Sequence, residues 1–292
     1  MKEIRGILTA MATPFDESGA VDEPAALKLA THLLEHGSHG LVISGSTGEA
    51  PTLTDEEALV LLRAVRREVG DEVLLVCGTG TNYTAHSIEL TQGAAEAGAD
   101  AALIVTPYYN KPNPAGIQAH FEAIADAVPG LPLIAYNIPS RVVVNVPPEG
   151  LAKLAKIESV VAVKQANNDE LQPIEGLEIL AGNDDIFCRT LEIGGAGGIC
   201  VASQLVGPQM REVWDAAQAG DMERAHQIDA GLRQVYAAMG VTTNPIPVKA
   251  ALEMTGLIPS GRLRLPLVPA DAEQRATVRA ALEGVGLSLV TS

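Results

Sequence analysis

The stretch Val160-Val161-Ala162-Val163-Lys164 joins four apolar residues directly to a lysine. Short runs of β-branched and small apolar residues are typical of strands in a parallel sheet that is covered on both faces. Lys164 would then lie at the end of a buried strand, where the loss of hydration favours the neutral amine. A neutral lysine is the nucleophile that forms Schiff bases with carbonyl substrates. The alternative is a lysine whose ammonium group extends from the strand end into water, without a chemical role.

Apolar runs of the same kind recur along the chain, separated by amphipathic segments rich in Ala, Leu and Glu. Strands that alternate with helices, without a break in composition, favour an α/β fold of the (β/α)8 TIM-barrel type. A doubly wound sheet is the alternative, but no Gly-x-Gly-x-x-Gly opens the first helix to support a dinucleotide site. The predicted strands are Gly6–Ala12, Gly40–Ser44, Val73–Cys77, Ala101–Thr106, Leu131–Tyr136, Val160–Lys164, Leu177–Ala181 and Gly198–Ala202.

The helices between these strands are predicted from their amphipathic pattern and their start signals. Thr54, followed three residues later by Glu57, is a capping-box signature. Short helices are expected after the sixth and seventh strands, around Glu170–Ile174 and Ile186–Ile193. The clearest helices are Pro24–Glu35, Thr54–Val69, Thr84–Ala97 and Pro114–Val128.

Four further helical segments follow the last predicted strand. Pro208–Ala219 would be the eighth helix of the barrel, which places the catalytic barrel at residues 1–220. Residues 221–292 would form a C-terminal appendage of three helices, Asp221–Met239, Pro247–Gly256 and Ala270–Gly284. We expect this appendage to lack an independent core and to provide oligomer contacts and shielding for the barrel.

Composition excludes several classes of function. Of the 292 residues, 47% are apolar and only 3% aromatic, so the core must be aliphatic. A net charge of −16 argues against a nucleic-acid-binding protein, because such proteins need a basic face. No run approaches the ~20 apolar residues of a membrane span, and the charged residues 1–6 are not typical of a signal peptide. We therefore expect a cytoplasmic protein in which Cys77, Cys188 and Cys200 are buried free thiols.

Polar residues cluster where the predicted strands end. In (β/α)8 barrels the catalytic groups lie at the carboxyl ends of the strands and on the loops that follow. Six such positions would converge on one rim and define a site. They are Gly45-Ser46-Thr47-Gly48-Glu49, Thr106–Asn110, Tyr136–Arg141, Lys164, Gly182–Asp185 and Gly194–Ile199.

Each of these pieces has a structural and a functional interpretation. The hydroxyls of Ser46 and Thr47, with nearby backbone N–H groups, suit a carboxylate, although the loop could be a simple turn. Arg141 could bind a substrate carboxylate through two parallel hydrogen bonds or make a structural ion pair. Tyr136 could be a core aromatic or a reactive one. The glycines near the eighth strand could expose backbone donors or permit tight packing.

Metal catalysis is the main chemical alternative, since aldol chemistry can also use a zinc ion. Zinc sites need several converging His, Cys or carboxylate ligands. The predicted elements place the histidines on helices or at the amino-terminal side of the barrel, and nothing completes a site around Asn183–Asp185. We therefore predict a lysine mechanism that needs neither a metal nor a cofactor. The histidines are His32, His36, His39, His86, His120 and His226.

These motifs resemble those of the dihydrodipicolinate synthase and N-acetylneuraminate lyase family of Schiff-base aldolases. The resemblance runs from Gly6 to about Pro269, nearly the whole chain. Its specific elements are the Gly45–Glu49 loop, Tyr108-Tyr109, Tyr136-Asn137-Ile138-Pro139, Lys164 and Gly197-Gly198-Ile199.

The resemblance implies a role for each site residue. Pyruvate would bind Lys164 as an imine, with its carboxylate held by Ser46, Thr47 and nearby N–H groups. Tyr136 would shuttle protons, and Thr47 and Tyr109 would complete a proton relay. In the synthases of the family the tyrosine matching Tyr109 enters the site of a neighbouring subunit, which implies a homodimer or homotetramer. Arg141, Gly182 and Ile199 complete the predicted substrate-binding set.

The branch of the family is indicated by Arg141. It resembles the arginine that binds the carboxylate of aspartate-4-semialdehyde in the synthases, and the segments Gly78–Asn82 and Asn244–Lys249 also resemble that branch. Ser46 and Gln165 resemble the lyases instead, but Ser46 keeps the hydroxyl and Gln165 should point away from Lys164 in a strand. We therefore expect the condensation of pyruvate with aspartate-4-semialdehyde to 4-hydroxy-tetrahydrodipicolinate, in lysine and diaminopimelate biosynthesis.

Two alternatives remain at this stage. The first is another pyruvate-dependent aldolase of the family, acting on a sialic or 2-keto-3-deoxy sugar acid. The second is a non-catalytic ligand-binding or regulatory barrel, which would be favoured if Lys164 or Tyr136 were missing.

The resemblance also bears on feedback by lysine, which inhibits some synthases of the family at a dimer-interface site. Lysine-sensitive relatives tend to have a histidine at the position of Asp55 and a glutamate at the position of His86. A histidine cannot supply the negative charge that an ammonium needs, so we expect weak or absent inhibition. The positions matching that site are Ala50, Pro51, Asp55, Ala58, Asn82, His86 and Tyr108.

Overall fold

The computed structural model of the protein describes residues 2–290. Within that range, eight parallel strands are hydrogen-bonded in chain order, and the eighth pairs with the first to close the barrel. This confirms the predicted (β/α)8 fold, with strand ends that differ from the predicted ones by at most two residues. The strands are β1 Gly6–Ala10, β2 Gly40–Ile43, β3 Leu74–Gly78, β4 Ala101–Val105, β5 Leu133–Asn137, β6 Val160–Gln165, β7 Glu178–Ala181 and β8 Gly197–Cys200.

Successive residues of a strand face opposite sides of the barrel wall. In β4, Ala101 and Leu103 pack inside the barrel, whereas Ala102 and Ile104 pack outward against the helices. Both faces of the wall are thus buried, which explains why the strands are continuous apolar runs and not alternating patterns.

The two strands that carry the candidate reactive groups are aligned by an irregularity in their pairing. The register between β5 and β6 shifts between Leu133 and Ile134, so that β6 holds one extra residue there. After the shift, Tyr136 lies directly opposite Lys164. Ala162 packs in the interior of the barrel, and Lys164, two residues further on, therefore faces the same side.

The helices follow the predicted pattern closely in the first half of the chain. The capping box of Thr54 and Glu57 is present. Within residues 2–290, no helix is long and apolar enough to cross a membrane. The helices are α1 Glu23–Glu35, α2 Asp55–Val69, α3 Thr84–Glu96, α4 Pro114–Ala127, α5 Pro139–Val142, α6 Pro148–Leu154, α7 Phe187–Glu192, α8 Ser203–Gln218, α9 Met222–Met239, α10 Ile246–Met254 and α11 Ala272–Gly284.

Two of the predicted helices differ from the structure, and two helices of the structure were not predicted. The segment Glu170–Ile174 contains no α-helix, only a short 3₁₀ turn at Asn168–Glu170, because Pro173 cannot supply a helical N–H. The helices α5 and α6, both between β5 and β6, were not predicted. The helix α8 begins at Ser203, five residues before the predicted start, and is kinked at Val206, two residues before Pro208.

The C-terminal helices share the apolar core of the barrel layer. Leu232 and Val235 of α9, and Val248 and Leu252 of α10, belong to one continuous buried cluster with residues such as Leu29 of α1. Because this cluster is continuous, we propose that the appendage is not an independently folded domain.

The cysteines are buried and free, as predicted, at positions 77, 188 and 200. Burial raises the pKa of Cys77 to about 12 and that of Cys188 to about 11. Both thiols therefore remain protonated near neutral pH and are poor nucleophiles.

Candidate active site

A cavity of about 480 Å³ opens at the carboxyl ends of the strands. Its floor contains Lys164 and its partner in register, Tyr136, which are 6% and 5% exposed. The Lys164 Nζ atom lies 4.2 Å from the centroid of the Tyr136 ring. The amine is therefore a buried group that faces a cavity large enough for a small substrate, not a lysine that extends into bulk water. Six predicted site residues line this cavity: Ser46, Thr47, Tyr136, Arg141, Lys164 and Gly182.

Two predicted site residues do not line the cavity within one chain. Ile199 is fully buried in β8 among the side chains that fill the barrel. Tyr109 is 87% exposed on the surface, and its φ of 69° is in the left-handed region that non-glycine residues rarely adopt.

The loop after β2 is held in an unusual backbone conformation. Ser44 and Glu49, at its two ends, have φ values of 55° and 57°. Inside the loop, the Thr47 hydroxyl accepts a hydrogen bond of 2.9 Å from the Asn244 side chain, and the Thr13 hydroxyl donates to the Gly48 carbonyl at 2.7 Å. Because Thr47 accepts from Asn244, its own hydroxyl proton is left to donate to a group in the cavity.

Arg141 lies at the cavity wall in the single-turn helix α5. One of its nitrogens, Nη2, donates to the Asn244 carbonyl at 2.9 Å. Within residues 2–290 no carboxylate lies within 4.0 Å of its guanidinium, so the structure does not support the structural ion pair. The remaining N–H groups are available to bind a carboxylate in the bidentate geometry typical of arginine.

The loop after β7 supplies a buried acid, Asp184, which the sequence analysis placed on the rim of the site without a role other than that of a metal ligand. The Asp184 carboxylate accepts hydrogen bonds from the backbone N–H groups of Val201 at 2.8 Å and Ala202 at 3.1 Å. Burial raises the pKa of Asp184, while these hydrogen bonds and the charge of Lys164 oppose that shift. Asp184 therefore links the loop after β7 to the end of β8 and lines the same cavity as Lys164.

The far wall of the cavity comes from the appendage. Arg233, Tyr236 and Met239 of α9 line it, together with Asn244 from the segment before α10. The sequence analysis assigned the appendage to oligomer contacts and shielding, so these residues were missed as parts of the site. The one signal was the Asn244–Lys249 motif, whose contact with the barrel rim is not visible in the sequence.

Gln165 faces away from Lys164, as strand alternation predicts. Its side-chain oxygen accepts hydrogen bonds of 3.0 Å from the Asn137 side chain and from the Asn167 backbone. The residue after the lysine therefore belongs to a polar network outside the barrel and does not contact the amine.

The histidines lie away from the cavity. For example, His39 accepts a hydrogen bond of 3.0 Å from the Ile7 backbone at the amino-terminal side of the barrel, and His120 is buried on α4. Over the described part of the chain, no three His, Cys, Asp or Glu side chains come together as metal ligands.

Comparison with known proteins agrees with this arrangement. A family model, the dihydrodipicolinate synthetase family, matches residues 3–285. The 4-hydroxy-tetrahydrodipicolinate synthase of Synechococcus elongatus is 46% identical over 96% of both chains. The dihydrodipicolinate synthase of Acinetobacter baumannii, solved with pyruvate, superposes with a TM-score of 0.94 at 36% identity, over 98% of this chain and 100% of that one. The enzyme of Cyanidioschyzon merolae, solved with lysine bound, gives 0.94 at 37% identity over the same shares. The family match across nearly the whole chain, the shared barrel and the buried lysine beside a tyrosine together show that the chain belongs to the dihydrodipicolinate synthetase family.

Proposed function

We propose that this protein condenses pyruvate with aspartate-4-semialdehyde by a class I aldol mechanism, giving 4-hydroxy-tetrahydrodipicolinate for lysine and diaminopimelate biosynthesis. The observation that carries the proposal is the buried amine of Lys164, 4.2 Å from the Tyr136 ring at the floor of the cavity. The guanidinium of Arg141, at the cavity wall, could bind the carboxylate of the aldehyde substrate. The sequence identity of 46% to a synthase with that product in its name supports the same choice.

The first half of the reaction would use the barrel floor and the loop after β2. The Lys164 amine adds to the keto carbon of pyruvate, and loss of water leaves an imine. The pyruvate carboxylate is bound by the hydroxyls of Ser46 and Thr47 and by nearby backbone N–H groups, which are strong donors to an anion. Loss of a methyl proton then converts the imine to an enamine.

The second half would use the Arg141 wall. The enamine carbon forms the new bond to the aldehyde carbon of the second substrate, whose carboxylate pairs with Arg141. The amino group of that substrate then attacks the imine carbon and displaces Lys164, which closes the ring and frees the enzyme. Tyr136, whose ring contacts the amine, would carry protons to and from these intermediates as a general acid and base.

The proton relay would be completed by a second copy of the chain. Tyr109 is 87% exposed and holds a strained backbone conformation outside the cavity of its own chain. Strain of this kind persists where the surrounding structure or a function requires it. We therefore include in the proposal a homodimer or homotetramer in which Tyr109 enters the cavity of the partner and joins Thr47 in the relay.

Lys164→Ala is expected to abolish condensation and the covalent trapping of pyruvate. Borohydride reduction in the presence of pyruvate should add one reduced pyruvyl group to the wild-type peptide that contains Lys164, detected by mass spectrometry. The matched control is Lys153→Ala, which removes an exposed lysine of α6 and should trap pyruvate normally. A pyruvyl adduct that persists in Lys164→Ala would refute the assignment of the amine.

Tyr136→Phe is expected to keep the fold and the trapped imine but to lower kcat by about 10²–10⁴-fold, the range of a general acid–base group. The substitution removes only the hydroxyl, and the ring that contacts Lys164 remains. Steady-state assays measure kcat, and circular dichroism checks that the fold is kept. A kcat close to that of the wild type would assign proton transfer to another residue.

Arg141→Lys is expected to raise the KM for aspartate-4-semialdehyde by about 10- to 100-fold, because a hydrogen bond to a charged group is worth about 1.5–3 kcal/mol. Trapping of pyruvate should be unchanged, since it does not involve this side chain. The measurement is a coupled assay with both substrates, run beside a cleavage assay with sialic and 2-keto-3-deoxy sugar acids. If the variant used the semialdehyde normally and the protein cleaved a sugar acid, the protein would instead be a sugar-acid aldolase.

L-Lysine is expected to inhibit the enzyme weakly or not at all. The His86 Nε2 atom lies 2.9 Å from the Asp55 carboxylate, so the acid that could attract an ammonium already has a partner. Initial rates across micromolar to millimolar L-lysine measure the effect. His86→Glu is the informative variant, since it supplies a second acid, and strong inhibition of the wild type at sub-millimolar lysine would contradict the expectation.

A further inference from the structure

A second buried lysine lies behind the loop that follows β2. The Lys249 Nζ atom is 2.7 Å from the Glu49 carboxylate, and neither side chain is exposed to solvent. In the described range 2–290, this is the one ion pair in which both side chains are fully buried. Lys249 also donates to the Thr13 carbonyl at 2.8 Å and lies 4.2 Å from the centroid of the Phe15 ring.

Stability alone is a weak reason for such a pair. Removing two charges from water is expensive, and well-packed apolar residues in place of a buried ion pair are often neutral or stabilising. Burial lowers the pKa of Lys249, although the charge of Glu49 opposes that shift. A buried ion pair whose desolvation is unfavourable can still be useful, because its directional contacts can hold the surrounding backbone in one conformation.

The backbone that this ion pair contacts is the Gly45–Glu49 loop. Glu49 is its last residue and has a left-handed backbone with φ of 57°. One carboxylate oxygen of Glu49 accepts from Lys249, and the other accepts from the Arg264 backbone at 3.0 Å. The Arg264 side chain in turn donates to the Thr52 carbonyl and forms an ion pair with Glu57.

The two residues before Glu49 are held by Asn244 and by Thr13, the residue whose carbonyl is bonded to Lys249. Asn244 donates to the Thr47 hydroxyl, and Thr13, whose carbonyl accepts from Lys249, donates its own hydroxyl to the Gly48 carbonyl. Thr47 is therefore linked to Asn244, just before α10, and Glu49 is linked directly to Lys249. Gly48, which lies between them, is linked to Lys249 through Thr13. These contacts leave the loop little freedom to relax.

We propose that Glu49 and Lys249 are positioning residues that hold the Gly45–Glu49 loop in the one conformation able to bind the pyruvate carboxylate. The inference rests on the proposed function, since it concerns the first substrate of that reaction. The pair lies behind the loop, and its hydrogen bonds join the two side chains to each other, to Thr13 and to Arg264, not to Lys164 or Tyr136. Its loss should therefore weaken the binding of pyruvate while the amine remains able to form the imine.

Lys249→Met removes the ammonium and keeps an apolar side chain of similar length. The concentration of pyruvate that gives half-maximal borohydride trapping should rise on the order of 10- to 100-fold, because small misplacements of binding groups have large effects. Maximal trapping at saturating pyruvate should be retained, and the KM for the aldehyde should change much less. An unpaired Glu49 in the interior is also expected to lower the Tm.

The double variant Glu49→Gln, Lys249→Met separates positioning from stability. It leaves no unpaired buried charge, so its Tm should recover toward that of the wild type, while the raised half-saturation for pyruvate should persist. Arg66→Met is the matched control, since it breaks the Arg66–Asp100 pair near the amino-terminal ends of β3 and β4. That control should lower the Tm without changing the half-saturation for pyruvate.

The outcomes are distinguishable. If the wild type traps no pyruvate on Lys164, the proposed function is wrong. If the wild type traps pyruvate and the folded double variant half-saturates at the same concentration, the positioning role is overturned and the function stands. If both charge variants fail to fold, Glu49→Asp decides, because it keeps both charges and shortens by one methylene the reach of the carboxylate to Lys249 and to the Arg264 N–H. An unchanged half-saturation in Glu49→Asp would then overturn the inference.

Discussion

The alternation of side chains along a β-strand, applied to strands that close into a barrel, decides which groups meet at the floor of the cavity. Every second residue faces inward, and most inward positions are filled by apolar side chains such as Leu103 and Ala162. Tyr136 and Lys164 are the last inward-facing residues of neighbouring strands and are opposite each other in register. The extra residue in β6 is essential to this pairing, because a shift of one residue would turn Lys164 to the outer face.

The barrel alone does not complete the site. Strands place side chains firmly, but the loop that would bind a carboxylate begins and ends with non-glycine residues in left-handed conformations, which are unfavourable on their own. Apart from the bond from Thr13 to Gly48, the contacts that hold this loop come from Asn244, Lys249 and Arg264, all beyond the eighth strand. The C-terminal helices are thus part of the site, and a change of substrate preference can arise from residues far from Lys164 in sequence.

The fold and the place of Lys164 at the end of a buried strand could be predicted because both depend on local signals. Apolar runs, the capping box at Thr54 and the lysine at the end of a buried run are visible within short windows. The helix predicted around Glu170–Ile174 was wrong because Pro173 lacks the backbone N–H that a helix needs, and this local signal prevails over the expected alternation of strands and helices. The far wall of the cavity could not be predicted, since the contact of Tyr236 or Asn244 with the rim depends on how the appendage packs. The proposed position of Tyr109 in the cavity of another copy of the chain likewise has no signal within one sequence, apart from the family resemblance.

The two buried lysines show the limit of such reasoning most clearly. Lys164 follows Val160-Val161-Ala162-Val163, and Lys249 lies in the apolar run Pro247–Ala251, so each is a charged residue in an apolar segment. Their environments are nevertheless opposite. Lys249 has a carboxylate at 2.7 Å and no exposure, which makes it a fixed charge with no access to a substrate. Lys164 faces an aromatic ring and an open cavity, where an amine can reach a carbonyl carbon. The group that distinguishes them, Glu49, lies 200 residues before Lys249 in the chain. Only the closure of the barrel and the packing of α10 against it bring that partner into place, so the difference between the amine proposed as the nucleophile and the buried partner of Glu49 is a property of the tertiary fold.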